Sequence, residues 1–183
     1  AHRARGAAPV ALPRPPAKAA DLGVEVRAFD YAAPDVAALR GVDLLVLISS
    51  NDFNDRAGQH AKAIAAAKAA GGGDVIYTSI LKGAQSPMIL AADHIETEAA
   101  LKASGLPHTI LRNGWYTENY TGSLAAAVAH GAMAGSAGEG LVATAARADF
   151  AEAIAAVALE PAHQGAVHEL AGDSAYRLAD MAA

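Results

Sequence analysis

The 183-residue chain has no cysteine. That excludes disulfides, thiolate nucleophiles and cysteine-bound zinc, and it fits a cytoplasmic address. There is no basic excess either: 14 Lys and Arg stand against 19 Asp and Glu, a net charge of −5. No basic face is then large enough to hold phosphates in series, so nucleic acid is not an expected partner. No apolar run nears the ~20 residues of a membrane span, so no membrane partner is expected. The Arg-rich start, residues 1–5, leads into no apolar core and does not read as a secretory signal. Aromatics make up only 5% of the residues, so where they gather is informative. The large hydrophobic share, 53% and mostly alanine, belongs to a globular chain. Its length suits one well-buried domain. Nothing in the pattern fixes an oligomeric state.

The aromatics gather in one place. Leu106-Pro107-His108-Thr109-Ile110-Leu111-Arg112 is an apolar, β-branched run that breaks at Asn113-Gly114, and Trp115, Tyr116 and Tyr120 follow within six residues. Open α/β sheets build ligand sites beyond the carboxyl ends of their strands, from polar and aromatic side chains released there. The other reading of the same residues is a buried aromatic plug under a loop, with Trp115 part of the core.

Along the chain, strand and helix patterns alternate. Pro9–Leu12 is a short strand, and Pro at the first helical position starts a helix over 16–22 that Gly23 ends. Residues 24–29 alternate as a strand with one wetter face, and a short helix covers 34–40. Residues 44–48 are apolar without alternation, as a strand covered on both faces must be. A helix over 55–70 ends at Gly71-Gly72-Gly73. Residues 74–79 form a strand, 80–88 a loop, 90–104 a helix and 107–112 a strand. A helix over 122–130, a Gly-rich stretch over 131–140, a helix over 149–159, a strand over 167–170 and a helix from Tyr176 onward complete the pattern. Five rounds of alternation predict a parallel sheet with right-handed crossovers, an α/β doubly wound domain over residues 9–183. Residues 1–8 carry no readable pattern.

Several blocks together carry a resemblance. They are Arg14-Pro15-Pro16-Ala17-Lys18, Phe29-Asp30-Tyr31, Leu47-Ile48-Ser49-Ser50, Tyr77-Thr78-Ser79, residues Asp93 to Glu98, Leu111 to Tyr116 with Glu118-Asn119-Tyr120, and Ala146-Arg147-Ala148-Asp149. In this order and spacing the chain resembles the NmrA-like, atypical short-chain dehydrogenase/reductases, and within them the type 2 NAD(P)H:quinone oxidoreductases. The resemblance implies a Rossmann-like, NAD(P)-binding fold. It also implies a reductase passing hydride from NADPH to a quinone or similar planar acceptor. Some relatives instead bind the dinucleotide as redox sensors without turning it over. The family opens with a strand and a Gly-x-x-Gly-x-x-Gly turn whose amides hold the pyrophosphate; nothing here supplies it, since Gly6 stands alone. The family also continues beyond residue 183. The expectation is therefore a fold truncated at both ends, or an inactive fragment. In the strand order 3-2-1-4-5-6 the missing strand sits between residues 9–12 and 44–48. Losing four or five buried side chains, at roughly 1.5–3 kcal/mol each, would leave the chain marginal in isolation.

The resemblance also assigns residues. Arg14, with Lys18 one turn later, follows the second strand, where a cation accommodates the 2′-phosphate of NADP and an acid grips the 2′-hydroxyl of NAD. A solvated charge pair is the plainer alternative. Asp30 and Tyr31 would flank the adenine, or form an ordinary turn. Ile48, Ser49 and Ser50 end the strand at the topological switch point and would line ribose and pyrophosphate. Tyr77, Thr78 and Ser79 would lie beside the nicotinamide. Arg112, Asn113, Gly114, Trp115, Tyr116 and Thr117 would close over it, with Trp115, Tyr116, Asn119 and Tyr120 walling a planar substrate. The superfamily's Tyr-x-x-x-Lys pair is replaced by Leu90 and His94, so the usual acid is gone. A quinol titrates at roughly 10, as Tyr does, and needs little general acid, which selects for quinone over alcohol chemistry. His94 would then orient the ribose or lend a proton, with Tyr116 the other candidate at the reacting centre; a helix-face His bonded to a neighbouring carbonyl is the alternative for His94. The other histidines show no metal-ligand spacing with carboxylates.

Overall fold

The computed structural model describes residues 6–183, so the start through Arg5 lies outside the described residues. Among the described residues eight strands and six α-helices follow one another. They are β1 (Val10–Ala11), β2 (Glu25–Val26), β3 (Leu44–Leu47), α1 (Arg56–Ala69), β4 (Asp74–Ile80), α2 (Ala91–Ser104), β5 (His108–Asn113), α3 (Glu118–Thr121), α4 (Leu124–His130), β6 (Leu141–Val142), α5 (Arg147–Leu159), β7 (Val167–Leu170), β8 (Tyr176–Arg177) and α6 (Leu178–Ala182). The central sheet runs β3-β4-β5-β7, all parallel, and β1 pairs with β2 in a separate parallel ladder.

Helices cover both faces of the central sheet, as a doubly wound domain requires. On one face Leu45, Leu47, Val75 and Tyr77 meet Ala63, Ile64 and Ala67 of α1 and Leu101 of α2. On the other, Ile76 and Leu111 meet Ile154 of α5, with Leu44, Val46 and Leu170 half-buried around them. The alternation of β3 between these two clusters explains its unbroken apolar sequence. Gly105 closes α2 at φ 75°, a left-handed conformation that a side chain at this position would disfavour.

The ladder is interrupted where the family's first strand was expected. Among the described residues β1 and β3 share no strand pairing, although Phe29 and Leu12 pack on the same apolar cluster as Leu47. The sheet thus divides into β2-β1 and β3-β4-β5-β7, and the cleft considered below opens at that division.

Several elements differ from the sequence expectation. The segments at 16–22 and 34–40 are single 3-10 turns, Pro16–Ala19 and Val36–Leu39. Between proline and glycine they are too short to repeat an α-helical bond pattern. Strand 24–29 narrows to two residues. The helix at 122–130 starts at Leu124, after the separate turn α3. Tyr176–Arg177, expected as helix, is a strand paired antiparallel with the unforeseen β6, and the helix begins only at Leu178. Two-residue strands carry no periodicity, so tertiary pairing alone defines them.

Candidate functional site

The carboxyl ends of the parallel strands lie along one edge, as their common direction dictates. At the division between β1 and β3 this edge opens into a cavity of about 280 Å³. Leu12 and Arg14 line it from the end of β1, and Phe29, Asp30 and Tyr31 from beyond β2. Ile48, Ser49, Ser50 and Asn51 line it from the end of β3, and Gln59 from α1. Six residues expected at the cofactor, drawn from three sequence blocks, are thereby brought together: Arg14, Asp30, Tyr31, Ile48, Ser49 and Ser50. Lys18 sits exposed on its 3-10 turn and outside the lining.

The mouth of the cavity is tied across the division. The Tyr31 hydroxyl donates to the Ile48 carbonyl at 3.1 Å, and burial pushes that phenol up to about 12. Asp30 accepts the Ala32 amide at 3.0 Å, a turn that fixes its carboxylate. Ser49 donates its backbone N–H to the Thr78 hydroxyl at 2.9 Å, which joins the ends of β3 and β4.

Each polar group of Ser50 is engaged by α1. Its backbone N–H donates to His60 Nε2 at 2.8 Å and its hydroxyl to Gln59 Oε1 at 2.9 Å. Its carbonyl accepts from Arg56 Nε at 2.6 Å. Ser50, expected to line ribose and pyrophosphate with Ile48 and Ser49, does line the cavity, with α1 engaging its polar atoms. Arg56, Gln59 and His60 stand at i, i+3 and i+4, one helix face directly after the Ser-Ser-Asn-Asp turn. That spacing is present in the sequence, but only tertiary packing decides that this helix face meets the loop. Among the described residues no cluster suited to a metal ion occurs.

The next strand sends its three polar residues in different directions. Tyr77 is fully buried, with its hydroxyl 2.7 Å from His94 Nδ1. Thr78 meets Ser49, and Ser79 donates to Glu98 at 2.6 Å. His94 is itself only 7% exposed. Burial, reinforced by the Arg56 charge and opposed by Asp93 and Glu98, lowers its ring to about 4. It is a neutral interior imidazole near neutral pH, bonded to a side-chain hydroxyl and not to the carbonyl considered from sequence. Such a ring carries no proton to lend as an acid unless its surroundings change.

Arg112 is likewise occupied. Its guanidinium donates to both oxygens of Glu98, at 3.0 and 2.7 Å, and to Glu169 at 3.0 Å. The loop after β4 closes on this cluster: Lys82 donates its amide to Glu169, and Gly83, at φ 47°, lies where a methyl group would enter the guanidinium. Arg112 therefore braces the sheet edge beneath the expected nicotinamide position.

Beyond β5, Gly114 donates its N–H to the Leu170 carbonyl at 2.7 Å. Trp115 emerges 40% exposed, whereas Tyr116 packs its ring on Phe150, centroids 5.1 Å apart. Asn113 Nδ2 donates to the Tyr116 hydroxyl at 3.4 Å. Thr117 donates to Thr144, whose hydroxyl is shared with Tyr176 at 2.7 Å. Asn119 is exposed and Tyr120 half-buried on α3. This aromatic wall occupies the same sheet edge as the cavity, two strands away, and does not line it.

Comparison with known proteins agrees with this architecture. Quinone oxidoreductase 2 of Escherichia coli (strain K12) is 51% identical over 179 residues, covering 95% of this chain and 63% of that protein. The crystal structure of an NADPH-dependent quinone oxidoreductase from Escherichia coli, complexed with NADPH, superposes with a TM-score of 0.87 at 50% identity, over 94% of this chain and 62% of that one. Citrobacter sp. triphenylmethane reductase, complexed with NADP(H), gives 0.88 at 33% identity, over 94% and 63%. The chain thus spans less than two thirds of the length of these relatives. Among the described residues no helix is long and apolar enough to cross a membrane. The family model described as NAD(P)H-binding matches residues 1–161, most of the sequence, and the chain belongs to that family.

Proposed function

We propose that this chain binds NADPH as part of a reductase that passes hydride to a quinone or a similar planar acceptor. The observation that carries the reading is the cavity at the division of the sheet. A cation at its mouth, a carboxylate and a phenol on one wall, and Ser49 and Asn51 opposite suit a phosphorylated adenosine. At about 280 Å³ it accommodates one nucleoside end of a dinucleotide, with the other end directed along the strand termini toward Thr78 and Asn113. Arg14 would pair with the 2′-phosphate, and Asp30 and Tyr31 would flank the adenine.

When bound, NADPH supplies the hydride from C4; the quinone gains that hydride and a proton from solvent, and NADP⁺ and quinol are the products. The residues of this chain bind and orient. Trp115 offers an exposed flat face for a planar acceptor, and Asn113, Gly114, Tyr116 and Thr117 shape the adjoining edge. No proton donor is assigned to His94 or Tyr116, since quinol formation near neutral pH needs none from the protein. The relatives named above support both the cofactor and the acceptor class.

The test is NADPH oxidation at 340 nm with a benzoquinone, alongside nucleotide affinity by calorimetry. Steady turnover with a preference for NADPH over NADH is expected. Binding without turnover would replace the reductase reading with that of a dinucleotide sensor, and absence of binding would end both.

A further inference from the structure

The cavity wall at Ser50 depends on a side chain that never reaches the cavity. His60, on α1, is fully buried. A backbone N–H can only donate, so the 2.8 Å contact with the Ser50 amide requires an unprotonated Nε2. The other ring nitrogen, Nδ1, lies 2.9 Å from the Thr97 hydroxyl. Thr97 spends its single proton on the Asp93 carbonyl at 2.8 Å, so toward His60 it can only accept. The Ser50 contact demands a neutral imidazole with its proton on Nδ1, and the Thr97 contact, which needs a donor at Nδ1, agrees with that tautomer.

We propose that His60 is a positioning residue for the nucleotide site: by accepting the Ser50 amide it sets the turn that presents Ser49 and Asn51 to the cavity. Arg56 and Gln59 hold the carbonyl and hydroxyl of the same residue, so one helix face fixes all three polar groups. Gln59 then carries the restraint on to Asp52, donating to its carboxylate at 2.6 Å. A proton on Nε2 would set N–H against N–H and release the turn. The surroundings oppose that proton. From β4 and the end of β2, the Tyr77 and Tyr31 rings pack against the imidazole edge-on, at 5.5 and 6.0 Å. Burial first, then His94 of α2 and Arg56 of α1 itself, lower the ring to about 4. The purpose given to the turn rests on the proposed function, whereas its geometry does not.

The experiment compares the full chain with His60→Gln, which keeps an acceptor near Nε2, and His60→Leu, which does not. Three quantities are read: the ¹⁵N shifts of the His60 ring, hydrogen exchange of the Ser50 amide, and the dissociation constant for NADP⁺. The expected ring is unprotonated at Nε2 at pH 7. Leu should speed Ser50 exchange and weaken NADP⁺ by roughly tenfold, as for one lost hydrogen bond, while Gln stays within about twofold. A ring protonated at Nε2, or Ser50 exchange unchanged in His60→Leu, overturns the proposal. Should the Leu variant not fold, the ring spectrum and the Gln variant still decide. Failure of the unsubstituted chain to bind NADP⁺ would instead overturn the proposed function, with the ring spectrum and amide exchange still reporting on His60.

Discussion

Tyr31 reaches across the division of the sheet and donates its hydroxyl to the carbonyl of Ile48 at 3.1 Å. No strand pairing joins β1 to β3 among the described residues, so side chains connect the two halves: this bond, the edge-on packing of Tyr31 on His60 and the apolar contacts of Phe29 and Leu12. The same bond forms one wall of the cavity. The joining of the two halves and the shape of the cavity are therefore coupled at one phenol.

Tyr31→Phe should lower stability by about 0.5–1.5 kcal/mol, toward the smaller figure because the exposed Ile48 carbonyl can find water. Urea melts would show the midpoint falling with an unchanged slope. NADP⁺ affinity should fall in parallel. An unaltered midpoint would mean that the apolar contacts alone hold the two halves together.

Glu98 sits 14% exposed between Arg112 and Ser79. Burial alone would raise its carboxyl, but hydrogen bonds from Arg112 and Ser79 prevail and hold it below the ordinary carboxylate range. With the folded value depressed, its stabilisation is present above the unfolded value and is lost as pH falls through the folded one. Glu98→Gln should therefore cost stability at pH 7, roughly 1–3 kcal/mol for a partly buried pair. The gap to the unsubstituted protein should begin to narrow as pH falls below the unfolded value of about 4.3 and go on narrowing toward the lower folded one. Paired melts at pH 7 and pH 3.5 measure it, and a gap independent of pH would assign the effect to packing.

What could be read in advance follows from periodicity and position. The runs at Leu44, Asp74 and His108 fixed the central strands, since an apolar stretch between a helix and a Ser- or Asn-rich turn has few other solutions. Arg14, Asp30, Tyr31 and Ser49, assigned through the resemblance, stand at or beyond the ends of β1, β2 and β3, where they line the cavity. Side-chain direction was not legible. Arg112 was expected at the cofactor because of its neighbours, yet Glu98 and Glu169, 14 and 57 residues away, engage it. Such partners meet only through tertiary packing, and sequence spacing does not encode them. Tyr77 and His94 illustrate the same limit: strand β4 turns Thr78 toward Ser49 while directing Tyr77 into the core.

Among the described residues Arg14 is the one cation lining the cavity, and it is exposed. A guanidinium on a 2′-phosphate makes charge-assisted bonds that NADH cannot reciprocate. Arg14→Ala should therefore weaken NADPH by about tenfold or more while leaving NADH within about twofold, reducing the preference between them. Titrations of both nucleotides at two salt concentrations would show the loss confined to NADPH and shrinking at high salt. Equal losses for both would place the arginine at the pyrophosphate.

The two buried histidines make stability depend on pH in a window of their own. His60 and His94 are 0% and 7% exposed, and burial, before any neighbouring charge, lowers both rings from 6.5 to about 4. Between those values the unfolded chain binds more protons than the folded one, so stability rises with pH there and falls on acidification. By pH 5 the loss relative to pH 8 should reach roughly 2 kcal/mol per ring. Carboxylates of the unfolded chain remain mostly ionised down to about pH 5, so the interval from 6.5 to 5 isolates the imidazoles. His94→Gln removes one of the two titrating rings and should flatten the decline of the urea midpoint over that interval by about half. An equally steep decline in the variant would show that His94 takes up its proton in the folded protein as readily as in the unfolded chain, which would restore it as an acid beside Tyr77.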